Sequence, residues 1–178
     1  PEDWIICEAL MKKHILRKNN NYKHIKLFLT DVDGVLTDAG MYYSENGDEL
    51  KRFNTHDGMG IYQLRSKGIK TGIITSENTK IVEKRFIKLK MDYLFQGVLN
   101  KMDLINELCK KENINLNEIA YIGDDINDFE ALSNIGVAAC PFNAVEKVKN
   151  IPNIINLSRS GGDGAVREFI EILLENYT

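Results

Sequence analysis

The sequence is poor in the residues that cross-link or stiffen small folds. Its 178 residues include only three cysteines, three prolines and one tryptophan. The cysteines, Cys7, Cys109 and Cys140, lie far apart and form neither a CxxC motif nor a Cys/His cluster, so we expect neither a disulfide framework nor a structural zinc site. No apolar run approaches the ~20 residues of a membrane span, and no signal peptide is visible. These absences predict a cytoplasmic protein with no membrane partner.

The sequence also lacks a dense block of one charge. Lysine and arginine (23) nearly balance aspartate and glutamate (26), which gives a net charge of -3 and a pI near 5.7. No basic patch suggests a nucleic-acid groove, so a phosphate-bearing ligand is expected to be small. With 43% hydrophobic residues, the chain is long enough to bury one substantial core.

Residues 1–23 differ in pattern from the rest of the chain. Apolar side chains at helical spacing are followed by a polar stretch, which predicts a helix and a linker. The chain begins with Pro1, which we interpret as the mark of a processed product or of a fragment of a longer protein. Residues 24–178 are predicted to form the main domain.

In this main domain, apolar strand patterns alternate with amphipathic helix patterns. The predicted strands are 25–32, 69–75, 92–96, 118–123 and 136–140. The predicted helices are 57–67, 78–89, 101–112, 127–133 and 165–176. Strand–helix alternation with short connections predicts an α/β fold with a parallel sheet covered by helices on both faces.

Residues 41–53 interrupt this alternation. They contain two short arms around an Asn-Gly pair, the strongest short-range signal for a β-hairpin. Two interpretations have equal weight: a flap over the strand ends, or a plain surface hairpin.

Carboxylates follow two of the predicted strands. Asp31 and Asp33 come at the end of the first, and Asp124 follows the strand 118–123. Parallel strands that end together would cluster these side chains, and such a cluster of like charges favours a hard divalent cation. Magnesium fits because it prefers oxygen ligands and keeps waters that an incoming phosphate can replace.

The spacing of Asp31 and Asp33 suggests a division of labour. Residues two apart on a strand share a face, while the intervening Val32 turns into the core. Asp31 can then attack phosphorus to give an aspartyl-phosphate, which divides a hard hydrolysis into two displacements. Asp33 can protonate the leaving alcohol and later take a proton from the attacking water.

Further residues are candidates for binding phosphate. Gly34 permits a tight turn with free N–H groups, and Thr75 and Ser76 follow another strand. Lys101 opens a helix, where its ammonium could offset the charge of phosphate and nucleophile. Each residue alone is more often structural, but the ordered set carries the prediction.

The runs DVDGVLTD, Thr75, Lys101 and GDDINDFEAL resemble the four motifs of the haloacid dehalogenase superfamily. Within it, FNTHDGMGI, DYLFQGVLNK and GGDGAVREF resemble the capless branch that contains octulosonate 8-phosphate and nonulosonate 9-phosphate phosphatases. The resemblance implies a Rossmann-like three-layer fold, a magnesium cofactor and a homotetramer with a β-hairpin flap. It implies that Asp31 is the nucleophile, Asp33 the acid/base and Asp124 a metal ligand, with the metal also held by the backbone carbonyl of Asp33.

The residues after Thr75 bear on the substrate. Octulosonate phosphatases typically read Thr-Gly-Arg here, whereas this chain has Glu77 at the third position. This chain instead resembles the nonulosonate branch, which pairs a Glu at the position of Glu77 with a Lys at the position of Lys88. The resemblance includes the residues around Arg85. We therefore predict a nine-carbon 2-keto-3-deoxy sugar acid 9-phosphate as substrate, with octulosonate 8-phosphate as the alternative. The other interpretation of these side chains is a solvated helix face.

Four predictions complete the set. Asp125 is expected to orient metal waters, and Asp128 either does the same or caps the following helix. His56 is a candidate for substrate contact, although a structural loop histidine is the commoner case. The segment PEDWIICEALMKK resembles the C-terminal end of acylneuraminate cytidylyltransferases, which implies a fused or cooperating enzyme. A catalytically idle oligomerising domain of such a fusion is the alternative of another class.

Overall fold

The structure, a computed structural model, describes residues 22–175 together with Trp4. The predicted N-terminal helix and most of its linker lie outside the described residues, as do residues 176–178. No helix among the residues described is long and apolar enough to cross a membrane.

Six strands form one parallel sheet in the order β5-β4-β1-β6-β7-β8, and two more form a separate hairpin. The strands are β1 Leu27–Thr30, β2 Tyr42–Tyr43, β3 Glu49–Leu50, β4 Lys70–Ile74, β5 Tyr93–Phe95, β6 Ile119–Ile122, β7 Val137–Cys140 and β8 Ile155–Asn156. The central position of β1 follows from its sequence, because a strand buried on both faces reads as a continuous apolar run. The predicted α/β fold with a parallel sheet is confirmed.

Helices cover both faces of the sheet. They are α1 Thr55–Ser66, α2 Lys80–Leu89, α3 Lys101–Glu112, α4 Phe129–Asn134, α5 Glu146–Lys149 and α6 Ala165–Leu174. Alternation along β1 divides the core: Phe28 packs with one cluster that includes Phe169 of α6, and Leu29 packs with another that includes Ile105 of α3. Together the sheet and its two helical layers make the predicted three-layer arrangement.

Side-chain caps decide where three helices begin. Asn54, Thr79 and Asn100 each precede a helix and accept a hydrogen bond from a backbone N–H in its first turn. Such caps satisfy donors that have no partner inside the helix. The third cap matters most for function, because it fixes the start of α3 at Lys101.

The predicted hairpin is present, but its arms β2 and β3 are only two residues long. Gly47 has a φ of +86° in its turn, a conformation that glycine adopts without a steric penalty. Ser44 Oγ accepts from the backbone N–H of Asp48 at 3.0 Å and closes the loop. Two elements were not predicted: the short helix α5 and the edge strand β8, whose few residues give too little periodicity to recognise.

Candidate active site

The carboxyl ends of β1, β4 and β6 meet at one edge of the sheet. Thr30 pairs with Ile122 in the register of β1 and β6, and the backbone N–H of Asp31 donates to Ile122 O at 3.0 Å. Asp31 and Asp124 therefore leave neighbouring strands at nearly the same level. Thr75 follows β4 on the other side of β1. Parallel pairing thus gathers side chains that lie more than 90 residues apart in the chain.

A cleft of about 240 Å³ opens at this edge. It is lined by Asp31, Asp33, Ala39, Thr75, Ser76, Glu77, Asp124, Asp125 and Asn127. Seven of these nine were singled out from the sequence. Ala39 and Asn127 were not, and Asn127 donates from Nδ2 to Ser76 Oγ at 3.1 Å, which ties one wall of the cleft to the other.

Lys101 lies behind the cleft in a buried network. Its ammonium is 3.1 Å from Asp31 Oδ1 and 2.6 Å from Asp128 Oδ1, and the Tyr121 hydroxyl donates to the same oxygen of Asp128. The Lys101 side chain has no exposed surface, and a buried charge of this kind is tolerated only when it is paired. Burial lowers the pKa of Lys101, but the Asp31 and Asp128 carboxylates outweigh it and raise that pKa.

Asp128 organises the loop after β6. Its Oδ2 accepts from the backbone N–H groups of Asp124 and Asp125 at 3.1 and 3.3 Å. It makes no side-chain cap bond to the following helix α4 itself. Its bond from the N–H of Asp125 instead belongs to the capping box of the short 3₁₀ turn Ile126–Asp128, which leads into α4. Both oxygens are occupied because they face Lys101 and Tyr121 on one side and the turning backbone on the other.

The acidic cluster fits a divalent cation. Carboxylate oxygens of Asp31, Asp124 and Asp128 lie within 4.8 Å of one another, and Asp124 Oδ1 is buried with no hydrogen-bond partner among the described residues. Because Asp128 is occupied by its donors, Asp31 and Asp124 are the side chains left to ligate an ion. The Asp33 side chain is not part of this cluster.

Burial and mutual repulsion raise the pKa values of the two carboxylates that face the cleft. Burial, followed by the nearby Asp128, raises the pKa of Asp31 to about 7, although Lys101 opposes the rise. Burial and then the charges of Asp31, Asp128 and Asp125 raise the pKa of Asp124 to about 8. A bound cation would stabilise both carboxylates in their charged form.

Gly34 is required by space as well as by conformation. Its φ is +86°, and a Cβ at this position would lie 1.9 Å from Asp124 Oδ2. Its carbonyl accepts from Asn143 Nδ2 at 3.0 Å, and Asn143 Oδ1 accepts from the N–H of Gly161 at 2.7 Å. The glycine-rich loop therefore packs against the turn after Asp33. The sequence pattern did not mark Asn143, since a single asparagine in a loop carries no signal by itself.

Lys51 contacts two of the residues that line the cleft from the base of the hairpin. Its ammonium lies 2.7 and 2.8 Å from the two carboxylate oxygens of Asp33 and 2.5 Å from Glu77 Oε2. Nothing in the sequence pattern marked this lysine, because it belongs to the hairpin and does not follow a strand of the main sheet. Glu77 is brought to the cleft as expected, but its partner there is Lys51.

Three residues predicted to bind substrate are not brought into the cleft by this chain. Arg85 donates from Nη2 to the backbone carbonyl of Asn54 at 2.7 Å and lies over the Phe53 ring. Lys88 is exposed on α2, and His56 is exposed in the first turn of α1. None of the three lines the cleft.

Known proteins are similar in sequence to most of this chain. The profile of the haloacid dehalogenase-like hydrolases matches residues 30–141. The 3-deoxy-D-manno-octulosonate 8-phosphate phosphatase KdsC of Salmonella typhi is 35% identical over 172 residues, covering 94% of this chain and 87% of the relative. The Escherichia coli K12 protein of the same name is 36% identical over 169 residues, with the same two coverages.

Solved structures of octulosonate 8-phosphate phosphatases are also similar to this chain. The 3-deoxy-D-manno-octulosonate 8-phosphate phosphatase of Moraxella catarrhalis, in complex with magnesium ion, phosphate ion and a KDO molecule, has a TM-score of 0.84 and 37% identity, covering 87% of this chain and 88% of that one. A cobalt-bound phosphatase of Haemophilus influenzae has a TM-score of 0.82 and 34% identity, covering 88% and 91%.

These comparisons bear on two predictions made from residues alone. The relatives' structures hold magnesium or cobalt, and the acidic cluster of this chain offers the oxygen donors that magnesium prefers. The prediction of a magnesium site is therefore confirmed, as is the prediction of the enzyme class. The chain belongs to the haloacid dehalogenase-like hydrolase family, and it is a phosphoric monoester hydrolase.

Proposed function

We propose that this enzyme hydrolyses 3-deoxy-D-manno-octulosonate 8-phosphate with magnesium. The observation that carries the proposal is the single edge of the sheet at which Asp31, Asp33, Thr75 and Asp124 meet, with Lys101 behind them. The similarity to KdsC proteins supports the substrate, because it extends over 94% of this chain. It favours the octulosonate over the nonulosonate 9-phosphate that the sequence pattern around Glu77 placed first.

The proposed reaction begins at Asp31. Lys101, 3.1 Å from Asp31 Oδ1, favours the carboxylate form that attacks phosphorus, and the bond from phosphorus to the leaving alcohol breaks as the bond to Asp31 forms. Asp33 gives its proton to the leaving oxygen. Magnesium supplies positive charge next to the reacting oxygens when it is bound.

The second step releases phosphate. Asp33, now a carboxylate, takes a proton from a water molecule as that water attacks phosphorus, and the bond to Asp31 breaks. Thr75 and Ser76 line the cleft next to Asp31, and we assign to them and to the Gly34 turn the binding of phosphate oxygens. Asp125, on the same wall, is assigned to waters around the ion.

A nine-carbon sugar acid 9-phosphate is the second candidate. Glu77 stands where octulosonate phosphatases typically have Arg, and it lines the cleft, where a carboxylate can accept hydrogen bonds from sugar hydroxyls. If Arg85 and Lys88 bind substrate, they must do so in the cleft of a second copy, since they do not reach the cleft of their own chain.

Assembly is part of the proposal. The hairpin exposes Met41, Tyr42, Tyr43 and Leu50, and a two-stranded hairpin with exposed aromatic side chains is marginally stable by itself. We propose that this hairpin forms the interface of a homotetramer. The sequence of residues 1–23 separately supports a fused or cooperating cytidylyltransferase. Tyr43→Glu should convert the tetramer to a smaller species, as measured by light scattering. An unchanged mass would contradict the proposal that the hairpin forms the interface.

The substrate proposal is tested by phosphate release with magnesium from octulosonate 8-phosphate and from deaminated and N-acetylated nonulosonate 9-phosphates. We expect the highest kcat/KM for the octulosonate, and a higher value for either nonulosonate would reverse the assignment. Asp31→Asn should lower kcat by about 10⁴-fold or more. Activity retained in Asp31→Asn would remove the covalent mechanism.

A further inference from the structure

Lys51 is more completely buried than its place in the sequence suggests. It follows β3 at the base of the hairpin, yet its side chain has no exposed surface. Besides its contacts with Asp33 and Glu77, its ammonium lies 3.7 Å from Glu49 Oε1. Fixing a lysine side chain costs rotamer entropy, and these three carboxylates offset that cost.

The charge around Lys51 depends on its ammonium. Burial lowers the pKa of Lys51, but hydrogen bonds to Asp33 and Glu77 outweigh it and raise that pKa, so the side chain stays charged. Without it, the Asp33 and Glu77 carboxylates would face each other beside the acidic wall of the cleft. Like charges at this separation repel, and Asp33 would turn away from its present orientation.

The two oxygens of Asp33 are not equivalent. Oδ1 accepts from Lys51 at 2.7 Å and from Thr37 Oγ1 at 3.3 Å. Among the described residues, Oδ2 accepts only from Lys51, at 2.8 Å. Because a carboxylate oxygen has two acceptor positions, Oδ2 keeps one that is open.

We propose that Lys51 is a positioning residue for Asp33: by donating to both oxygens it fixes the plane of the carboxylate, so that Oδ2 keeps one acceptor position for the transferred proton. This rests on the acid/base role proposed for Asp33. In the second step, the water proton moves to Oδ2 as the water oxygen bonds phosphorus and the phosphorus–oxygen bond to Asp31 breaks. Because Lys51 belongs to the hairpin, the alignment of Asp33 depends on how the hairpin is seated.

A double-mutant cycle tests the proposal with p-nitrophenyl phosphate and magnesium. We expect Lys51→Met to lower kcat by about 10²-fold, the scale of a misplaced catalytic group, and to change KM by less than about 3-fold. In the Asp33→Asn background the same substitution should change kcat by less than about 2-fold, because the group that it positions is gone. Equal losses in both backgrounds, no loss, or a loss confined to KM would each overturn the proposal.

Matched variants separate positioning from folding. Arg52→Met is the control, because Arg52 is the next residue of the hairpin but pairs with Asp38 at 3.0 Å, and we expect its kcat to stay within about 2-fold. Lys51→Arg keeps the charge and should recover most of the activity. If Lys51→Met does not fold by circular dichroism, Lys51→Gln, a neutral donor, takes its place in the cycle.

The cycle also distinguishes this proposal from the substrate assignment. If the enzyme is active on p-nitrophenyl phosphate but not on octulosonate 8-phosphate, the substrate assignment is wrong. The double-mutant cycle can still be measured in that case and still tests the role of Lys51. A normal kcat in Asp33→Asn alone would remove the acid/base role and, with it, the role of Lys51.

Discussion

Two lysines serve the two sides of the cleft, and they do so in different surroundings. Lys101 lies between Asp31 and Asp128, whose side chains are 7% and 0% exposed. Lys51 lies between Asp33 and Glu77, whose side chains are 26% and 42% exposed. Charge pairs interact more strongly where water is excluded, but there each charge also costs more to bury. Lys101 is therefore expected to contribute strongly to the stability of the domain, whereas Lys51 is expected to affect mainly catalysis.

The largest expected effect is that of Lys101→Met. It leaves two buried carboxylates without a cation, so we expect a loss of about 3–5 kcal/mol in the free energy of unfolding and a fall in kcat of about 10³-fold. Denaturant unfolding and steady-state kinetics measure the two. Lys80→Met is the matched control, because Lys80 opens α2 but is exposed. A Lys101 variant as stable as this control would contradict the comparison.

Magnesium should act on the Lys101 side and not on the Lys51 side. At 100 times its dissociation constant a ligand stabilises a protein by about 2.7 kcal/mol, which raises the melting temperature. Asp124→Asn should abolish this rise, while Asp33→Asn should retain it, since Asp33 is expected to offer only its backbone carbonyl. Loss of the rise in both variants would place the Asp33 side chain on the ion.

The rise in melting temperature that magnesium causes should depend on pH. The pKa values of Asp31 and Asp124, about 7 and 8, lie above the ordinary 3.8. The metal-free folded protein therefore binds more protons than the unfolded chain between pH 4 and 8, and its stability falls as the pH rises through that window. Because the ion binds the charged carboxylates, the rise in melting temperature with magnesium should be larger at pH 8 than at pH 6. A larger rise at pH 6 would be inconsistent with these assignments.

Lys51→Met should cost much less stability than Lys101→Met. Its carboxylate partners are partly exposed and can be solvated once the ammonium is gone, so we expect a loss of about 1 kcal/mol in the free energy of unfolding. Denaturant unfolding of the two variants side by side measures the difference. Equal losses would mean that the two lysines do not differ in the way that their surroundings indicate.

The smallest expected effect is that of Tyr121→Phe. Asp128 Oδ1 keeps its bond to Lys101 when the hydroxyl is removed, so the loss should be about 0.5 kcal/mol in the free energy of unfolding. Tyr93→Phe is the matched control on β5, because the Tyr93 hydroxyl accepts from Lys70 near the surface. A loss above that of Lys51→Met would show that Tyr121, not Lys101, holds Asp128.

Much of the site could be predicted from the sequence, because several of its residues come directly after the strands of the main sheet. A continuous apolar run ends in Asp31, another in Thr75, and a third leads to Asp124, and parallel pairing aligns their ends. Lys101 could be placed because Asn100 caps its helix. The substrate contacts of Arg85 and Lys88 could not be judged in the same way, since the side of a helix that faces a cleft depends on how the helix packs.

The sequence by itself determined the order of strands and helices, the carboxylates at their ends and the presence of a hairpin, because each depends on residues close together in the chain. Tertiary structure alone decided that Lys51 reaches Asp33 across 18 residues and that Tyr121 and Lys101 share one oxygen of Asp128. These contacts join segments whose distance in space is set by packing of the whole domain. A lone lysine or tyrosine carries no local signal of such a partner.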